Sequence, residues 1–271
     1  MMRSLWTAAT GMTAQQLQVD TIANNLANIN TVGFKRERIE FKSLIYENLR
    51  EATANDRGDG KPVNLLAGHG VRPVATSKSF AQGNIERTDN PLDVGIEGDG
   101  FYVVQLPSGE RRYTKDGTLK LSLAMENNLM ITNANGYPIL DTEDQPILLS
   151  RDTYLANISV AENGALSYKR NGVNEDLGVR FQLVQFNNPL GLKSVGGTLF
   201  DTTAASGEAL KESETESLKQ SRLMQGTLER SNVNAVDEMV NLIVAQRAYE
   251  INSKAIQTSD DMLGIANQLK R

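Results

Sequence analysis

The 271-residue chain contains no cysteine, a single histidine and a single tryptophan. Without thiols it has no disulfide, no thiolate nucleophile and no sulfur-ligated metal. That absence fits the cytoplasm and a disulfide-free exported protein equally well. His69, in "LLAGHGVRP", sits between glycines and reads as a surface loop residue. A nucleophilic triad or multi-histidine metal site would have to rest on it alone. No stretch approaches the roughly 20 apolar residues of a membrane-spanning helix. Gln15, Gln16, Gln18 and Asp20 interrupt the first 20 residues, so no secretory signal pattern is expected there. A net charge of -5, with Lys and Arg scattered apart from "FKRER" at 34–38, argues against nucleic acid and anionic membranes as partners. The glycine-rich "VGIEGDGF" at 94–101 lacks the lysine and the following helix of a phosphate-binding loop. Glu97 and Asp99 lack calcium-loop spacing and read as turn residues. Asp141, Glu143 and Asp144 crowd one loop, with no spacing that identifies paired catalytic carboxylates. The expectation is a non-enzyme with no cofactor and no metal.

What is present is periodicity at the two ends. Leu5, Met12, Val19 and Leu26 recur every seventh place, with Ala8, Gln15, Ile22 and Ile29 three residues after each. Near the other end Val244, Ile251, Thr258 and Ile265 repeat by seven, with Ala248, Ala255, Met262 and Leu269 following by four. Val233, Val236, Val240 and Ile243 precede them one residue out of phase, a slip in the repeat. Asn234 followed by Asp237 and Glu238 predicts a helix starting near 234 and running almost to Arg271. The first helix is expected to end at Asn30 to Gly33.

Between the helices the pattern shifts to short strands: "FYVVQL" at 101–106, "LMIT" at 129–132, "ISVAE" at 158–162 and "FQLVQF" at 181–186. Pro107-Ser108-Gly109 and the Asn-Gly pairs starting at 135, 163 and 171 mark turns. Residues 50–64 and 201–220 are polar and aperiodic and read as loops or linkers. The predicted fold class is α+β, with long terminal helices paired as a coiled-coil-like layer around an inserted, mainly antiparallel β region. The predicted division is a discontinuous helical assembly core of 1–45 with 230–271, a linker and small β domain of 46–95 with 200–229, and an inserted β domain of 96–199. Each fully buried Leu or Ile contributes only about 1.5–3 kcal/mol, so two narrow-seamed helices alone are marginal. Either they form an intramolecular hairpin, or they fold fully only against neighbouring subunits. The asparagines Asn24, Asn25 and Asn28, with Asn241 and Asn252 close to one face of the last helix, favour contacts with several partners.

The N-terminal "SLWTAATGMTAQQLQVDTIANNLANINTVGFKRERIEFKSLIYE" and C-terminal "QGTLERSNVNAVDEMVNLIVAQRAYEINSKAIQTSDDML" closely resemble the two ends of the flagellar basal-body rod and hook family. "NPLDVGIEGDGFYVV", "YTKDGTL" and "NGYPIL" resemble the opening of that family's inserted β domain, and "NPLGLKSVGGTLFDTTAASGE" resembles the return from it. Residues 122–130 and 50–64 depart from the family pattern. The length and "QGTLERSNVN" are most similar to subunits of the distal part of the rod, with the proximal part as the alternative. The resemblance implies a subunit that polymerises into a hollow helical drive shaft carrying torque from motor to hook. It further implies export through the flagellar type III apparatus without a cleavable signal, and a place in the periplasm-spanning basal body. Implied partners are copies of the chain itself, other rod proteins, the hook protein, the P- and L-ring bushing and the export apparatus, with no membrane insertion. Leu5, Met12, Val19, Ile22, Leu26, Ile29, Val240, Val244, Ile251, Met262 and Leu269 would then pack within and between subunits. Asn24, Asn25, Asn28, Asn241, Arg247, Glu250 and Asn252 would supply polar contacts there. A secreted enzyme or binding module, ordered as a monomer around a defined pocket, is the competing class.

Overall fold

A computed structural model of the chain describes residues 2–50, 63–124, 128–150, 154, 157–170, 173–215 and 218–269. The expected Asn171-Gly172 turn, most of the expected 50–64 linker and the centre of 122–130 lie outside them. The fold is α+β, with a helix at each end and mainly antiparallel strands between. By packing it separates into two compact units, one of residues 1–27, 37–77 and 234–271, the other of residues 28–36 and 78–233.

The first unit holds α1 (Met2–Ala27) and α2 (Ala235–Gln268). At the start of α2 the Asn234 side chain accepts from Val236 N, and Asp237 and Glu238 occupy the first turn, as the sequence predicts. The first helix stops at Ala27, short of the expected Asn30–Gly33. There Asn28 offers a local alternative: its carbonyl accepts from Thr31 N and its side chain from Thr31 Oγ1. The same unit contains Tyr46–Arg50, Leu65–Gly68 and Val71–Lys78, within the span read as linker and small β domain, and Glu37–Ser43, a strand in the span read as helical core. Glu37–Ser43 pairs with Val71–Lys78, and Tyr46–Arg50 pairs antiparallel with Leu65–Gly68. Ile45, Tyr46, Leu49, Leu65 and Leu66 are exposed on this ribbon, so it carries no inward apolar face for a period-two pattern to reveal.

The second unit is built on a six-stranded antiparallel sheet in the order Lys193–Gly196, Leu199–Asp201, Arg111–Thr114, Phe101–Gln105, Leu183–Gln185, Leu210–Lys211. Phe101–Gln105 is buried on both faces, so it reads as a continuous apolar run rather than an alternation. Phe101 and Val103 join a cluster with Tyr113, Val184, Phe186 and Phe200, while Tyr102 and Val104 enter a larger one with Ile96, Ile131, Ile139, Leu166 and Phe181. Edge-to-face ring pairs tie the first cluster together: Phe101 with Phe186 at 5.4 Å and Tyr113 with Phe186 at 4.9 Å. Smaller antiparallel sheets complete the unit, including Ile158–Val160 hairpinned to Ala165–Arg170 across Asn163-Gly164.

The stretch 201–220, expected to be linker, is partly built structure. Leu210–Lys211 is the sixth strand, Ser206 is buried against Thr203, and Glu212 is buried, accepting from Gln185 Nε2, Ser221 N and Ser221 Oγ. Short polar side chains close these turns, which a search for apolar periodicity does not register. The acids of 141–144 are turn and ion-pair residues. Asp141 Oδ1 accepts from Glu143 N and Gln145 N, and Asp144 accepts from Gln182 and lies beside Arg111 and Lys211.

Candidate assembly surface

The two helices run antiparallel and meet in a constant register. Ser4 Oγ lies 3.3 Å from Ser259 Oγ, a side-chain carbon at Gly11 would sit 2.9 Å from Asn252 Nδ2, and Asn25 Nδ2 donates to Glu238 Oε2 at 3.3 Å. Ser4, Gly11, Gln18 and Asn25 are seven apart, as are Glu238, Ala245, Asn252 and Ser259. The seam is therefore a heptad of small and polar residues, one position away from the apolar heptads in the sequence. Glu238, Ala245 and Ser259 are the buried residues of α2, with Ala245 only 1 % exposed. Small side chains let the two backbones approach closely, and Gly11 permits contact with the Asn252 amide.

This register places the expected packing residues in two groups. On α1, Ile22 is buried, and Leu5, Met12, Val19 and Leu26 are half-buried beside the seam. Ile29, also half-buried, falls in the turn after α1. On α2, Val240, Val244, Ile251, Met262 and Leu269 are exposed rather than packed within the chain, Ile251 at 66 % and Leu269 at 83 %. Ile243 and Ile265 extend the same stripe, and Trp6 and Met2 are exposed on α1. On α2 the small residues Ala245 and Ser259 are buried and the large apolar ones are exposed, so this helix has its hydrophobic face turned outward. Burying each exposed Val, Ile or Met of this face is worth roughly 1.5–3 kcal/mol.

The expected interface amides are placed differently. Asn25 is buried and fully engaged inside the unit: its Nδ2 donates to Glu37 O at 2.8 Å and to Glu238, and its Oδ1 accepts from Glu37 N at 2.8 Å. It thereby fastens the first residue of the strand Glu37–Ser43 to the helix pair. Asn24 Nδ2 donates to Glu37 Oε2, and Asn28 closes the turn after α1. All three amides bond within the chain, Asn24 and Asn25 to the strand residue Glu37 and Asn28 to Thr31, contacts that no periodicity argument could have shown. Asn252 faces Gly11 across the seam, and Asn241 is half-buried on α2. Arg247 Nη1 pairs with Glu250 Oε2 at 2.8 Å along the exposed side of α2.

Among the described residues no group of histidine and carboxylate side chains is placed to hold a metal ion, and no helix is long and apolar enough to cross a membrane. His69 lies between two strands with Nε2 3.6 Å from Glu47 Oε2. The buried charges of the β-rich unit are held by specific partners. Lys115 Nζ donates to Gly98 O at 2.9 Å and lies over the Phe101 ring, and burial, then neighbouring Lys35, lowers its pKa to about 8.

Three family models match the chain. A model described as flagella basal body rod protein covers residues 5–35, one for the flagellar basal body rod FlgEFG protein C-terminal region covers 224–269, and one for the flagellar hook protein FlgE/F/G D1 domain covers 95–168. The chain belongs to the flagellar basal-body rod family. Its similarity to the flagellar basal-body rod protein FlgG of Borreliella burgdorferi is 47% identity over 274 residues, all of both chains. FlgG of Caulobacter vibrioides is 40% identical over 273 residues, covering 99% of this chain and 100% of the relative. The flagellar hook-basal body complex protein FlhP of Bacillus subtilis is 35% identical over 278 residues, again end to end.

Proposed function

We propose that this chain is a non-enzymatic structural subunit of the bacterial flagellar distal rod, polymerising into a hollow helical drive shaft that transmits torque from motor to hook. The observation that carries the reading is the stripe of large apolar residues left exposed along α2, Val240, Val244, Ile251, Met262 and Leu269. End-to-end similarity to rod proteins named FlgG supports it. A face of this kind is suited to a neighbouring copy, and a head-to-tail contact repeated by a fixed rotation generates an open helical filament. Residues 1–45 with 230–271 form the assembly core in this reading, residues 46–95 with 200–229 the linker and small β domain, and residues 96–199 the outer β domain. Asn241, Arg247, Glu250 and Asn252 are the polar groups near the apolar stripe. Other rod proteins, the hook protein and the P- and L-ring bushing are the partners, and the chain reaches its place through the type III export apparatus without a cleavable signal.

The test is polymerisation of the purified chain followed by sedimentation and electron microscopy, with Ile251→Asp and Leu26→Asp beside the natural sequence. A carboxylate on an apolar face that assembly desolvates costs several kcal/mol, so both variants are expected to stay unassembled while the β-rich unit keeps its fold. Normal filaments from Ile251→Asp would overturn the reading.

A further inference from the structure

The chain passes between its two compact units at four places: after Ala27, after Arg36, after Ser77 and after Val233. Three of these crossings have their β-unit ends gathered by one set of bonds that lies wholly within that unit, on segments 33–36, 79–83 and 229–232. Asn232 is the centre. Its Oδ1 accepts from Arg36 N at 2.7 Å, and its Nδ2 donates to Ser79 O at 2.8 Å and Ala81 O at 2.9 Å, so one side chain holds all three segments. Beneath it, buried Lys35 donates to Ala81 O at 3.0 Å and to Glu229 Oε1 at 2.6 Å, and Glu229 Oε1 also accepts from Gly83 N at 2.7 Å. Backbone bonds close the set: Ser79 N to Arg36 O, Gly33 N to Glu229 O and Arg230 N to Asn84 O. Gly83 allows the closest approach, since a side-chain carbon there would fall 2.0 Å from Arg230 O.

We infer that Asn232 and the Lys35–Glu229 pair form a clasp that makes these segments open and close as one joint. In an assembled rod, load entering from the helical unit is then divided among three segments of the chain at once. The load-sharing role rests on the proposed function; the coupling of the segments does not. The Lys35–Glu229 pair is buried and Asn232 half-buried above it, and hydrogen bonds shared among several segments in this way rigidify what they join.

Native-state hydrogen exchange on the unassembled full-length chain tests the coupling whether or not the chain polymerises. Asn232→Ala is expected to raise exchange at Gly33, Arg36, Ser79, Gly83 and Arg230 together, by tenfold or more, with the amides of 101–105 unchanged. Acceleration confined to Arg36, the amide that loses its own acceptor, would overturn the inference. Should Asn232→Ala unfold the β-rich unit, Asn232→Asp keeps the acceptor for Arg36 N, removes the two donated bonds and sets a carboxylate oxygen against the Ser79 and Ala81 carbonyls. Joint acceleration of all three segments then supports the clasp, and acceleration limited to 79–83 overturns it.

Discussion

In the β-rich unit Phe101, Tyr102, Val103 and Val104 are all buried, and three aromatic rings pack against Phe101. In the helical unit the buried positions of α2 are Glu238, Ala245 and Ser259, while Val244, Ile251 and Ile265 face outward. Both regions follow the same physics of apolar burial, but one completes it within a single chain and the other leaves it incomplete. A unit with its large side chains inside is a finished fold; a unit with its small side chains inside is a component.

The sharpest way to break this contrast is to truncate one large apolar residue in each region and measure unfolding of the isolated chain in urea. Phe101→Ala should cost about 3–5 kcal/mol, because it removes a ring from a packed cluster and leaves a cavity. Ile251→Ala should change monomer stability by no more than about 0.5 kcal/mol, as for an exposed site. Comparable losses at the two sites would erase the distinction. Enlarging a seam residue tests the helical half directly. Ala245→Leu has no space against α1 and is expected to cost roughly 1–3 kcal/mol, seen as lost helix signal in circular dichroism without change in the β-rich unit.

Asn25→Ala is predicted to be of similar or smaller effect, about 1–3 kcal/mol, since it strands the Glu37 backbone groups and the Glu238 carboxylate. Hydrogen exchange at Glu37 would report it. A further effect concerns pH. Lys115 in the folded unit releases its proton near pH 8, whereas an unfolded lysine keeps it to about 10.4. Between these values the unfolded chain binds more protons, so stability rises with pH, by at most ~1.4 kcal/mol per pH unit. The groups acting on Lys115 are Lys35, Glu229, Asp99 and Glu212, and the buried Tyr102 phenol, raised by burial and then Asp116, opposes the trend only above the ordinary tyrosine range. Urea midpoints at pH 7.5 and 9.5 should therefore increase for the natural chain and converge for Lys115→Met.

Much of this architecture is legible in the residues. The start of α2 follows from Asn234, Asp237 and Glu238, and strands such as 101–105 and 129–132 follow from their apolar runs. The seam is harder to read, because hydrophobic periodicity points to Val244 and Ile251 while the helices meet on Ala245 and Asn252, one residue on. A repeat of small and polar residues is visible only when it is sought as such: Ser4, Gly11, Gln18 and Asn25 against Glu238, Ala245, Asn252 and Ser259. The individual strands within 37–78 are harder to delimit: Glu37–Ser43 alternates only weakly, with Ile39 and Phe41 half-buried, while Tyr46–Arg50 is exposed throughout and Leu65–Gly68 nearly so. The role of Asn25 is hidden because its partners lie 12 and 213 residues away.

The antiparallel register of α1 and α2, with Ser4 beside Ser259, brings the start of the first helix and the far end of the last to the same end of the pair. A fluorescent protein or affinity tag joined to either helix end would therefore crowd one location, beside exposed Met2, Ile265 and Leu269. Moving such a label from one terminus to the other would relieve nothing. The turn at Ser108-Gly109, exposed and with open space around Gly109, lies on a different unit and is the better attachment point for imaging this protein in place.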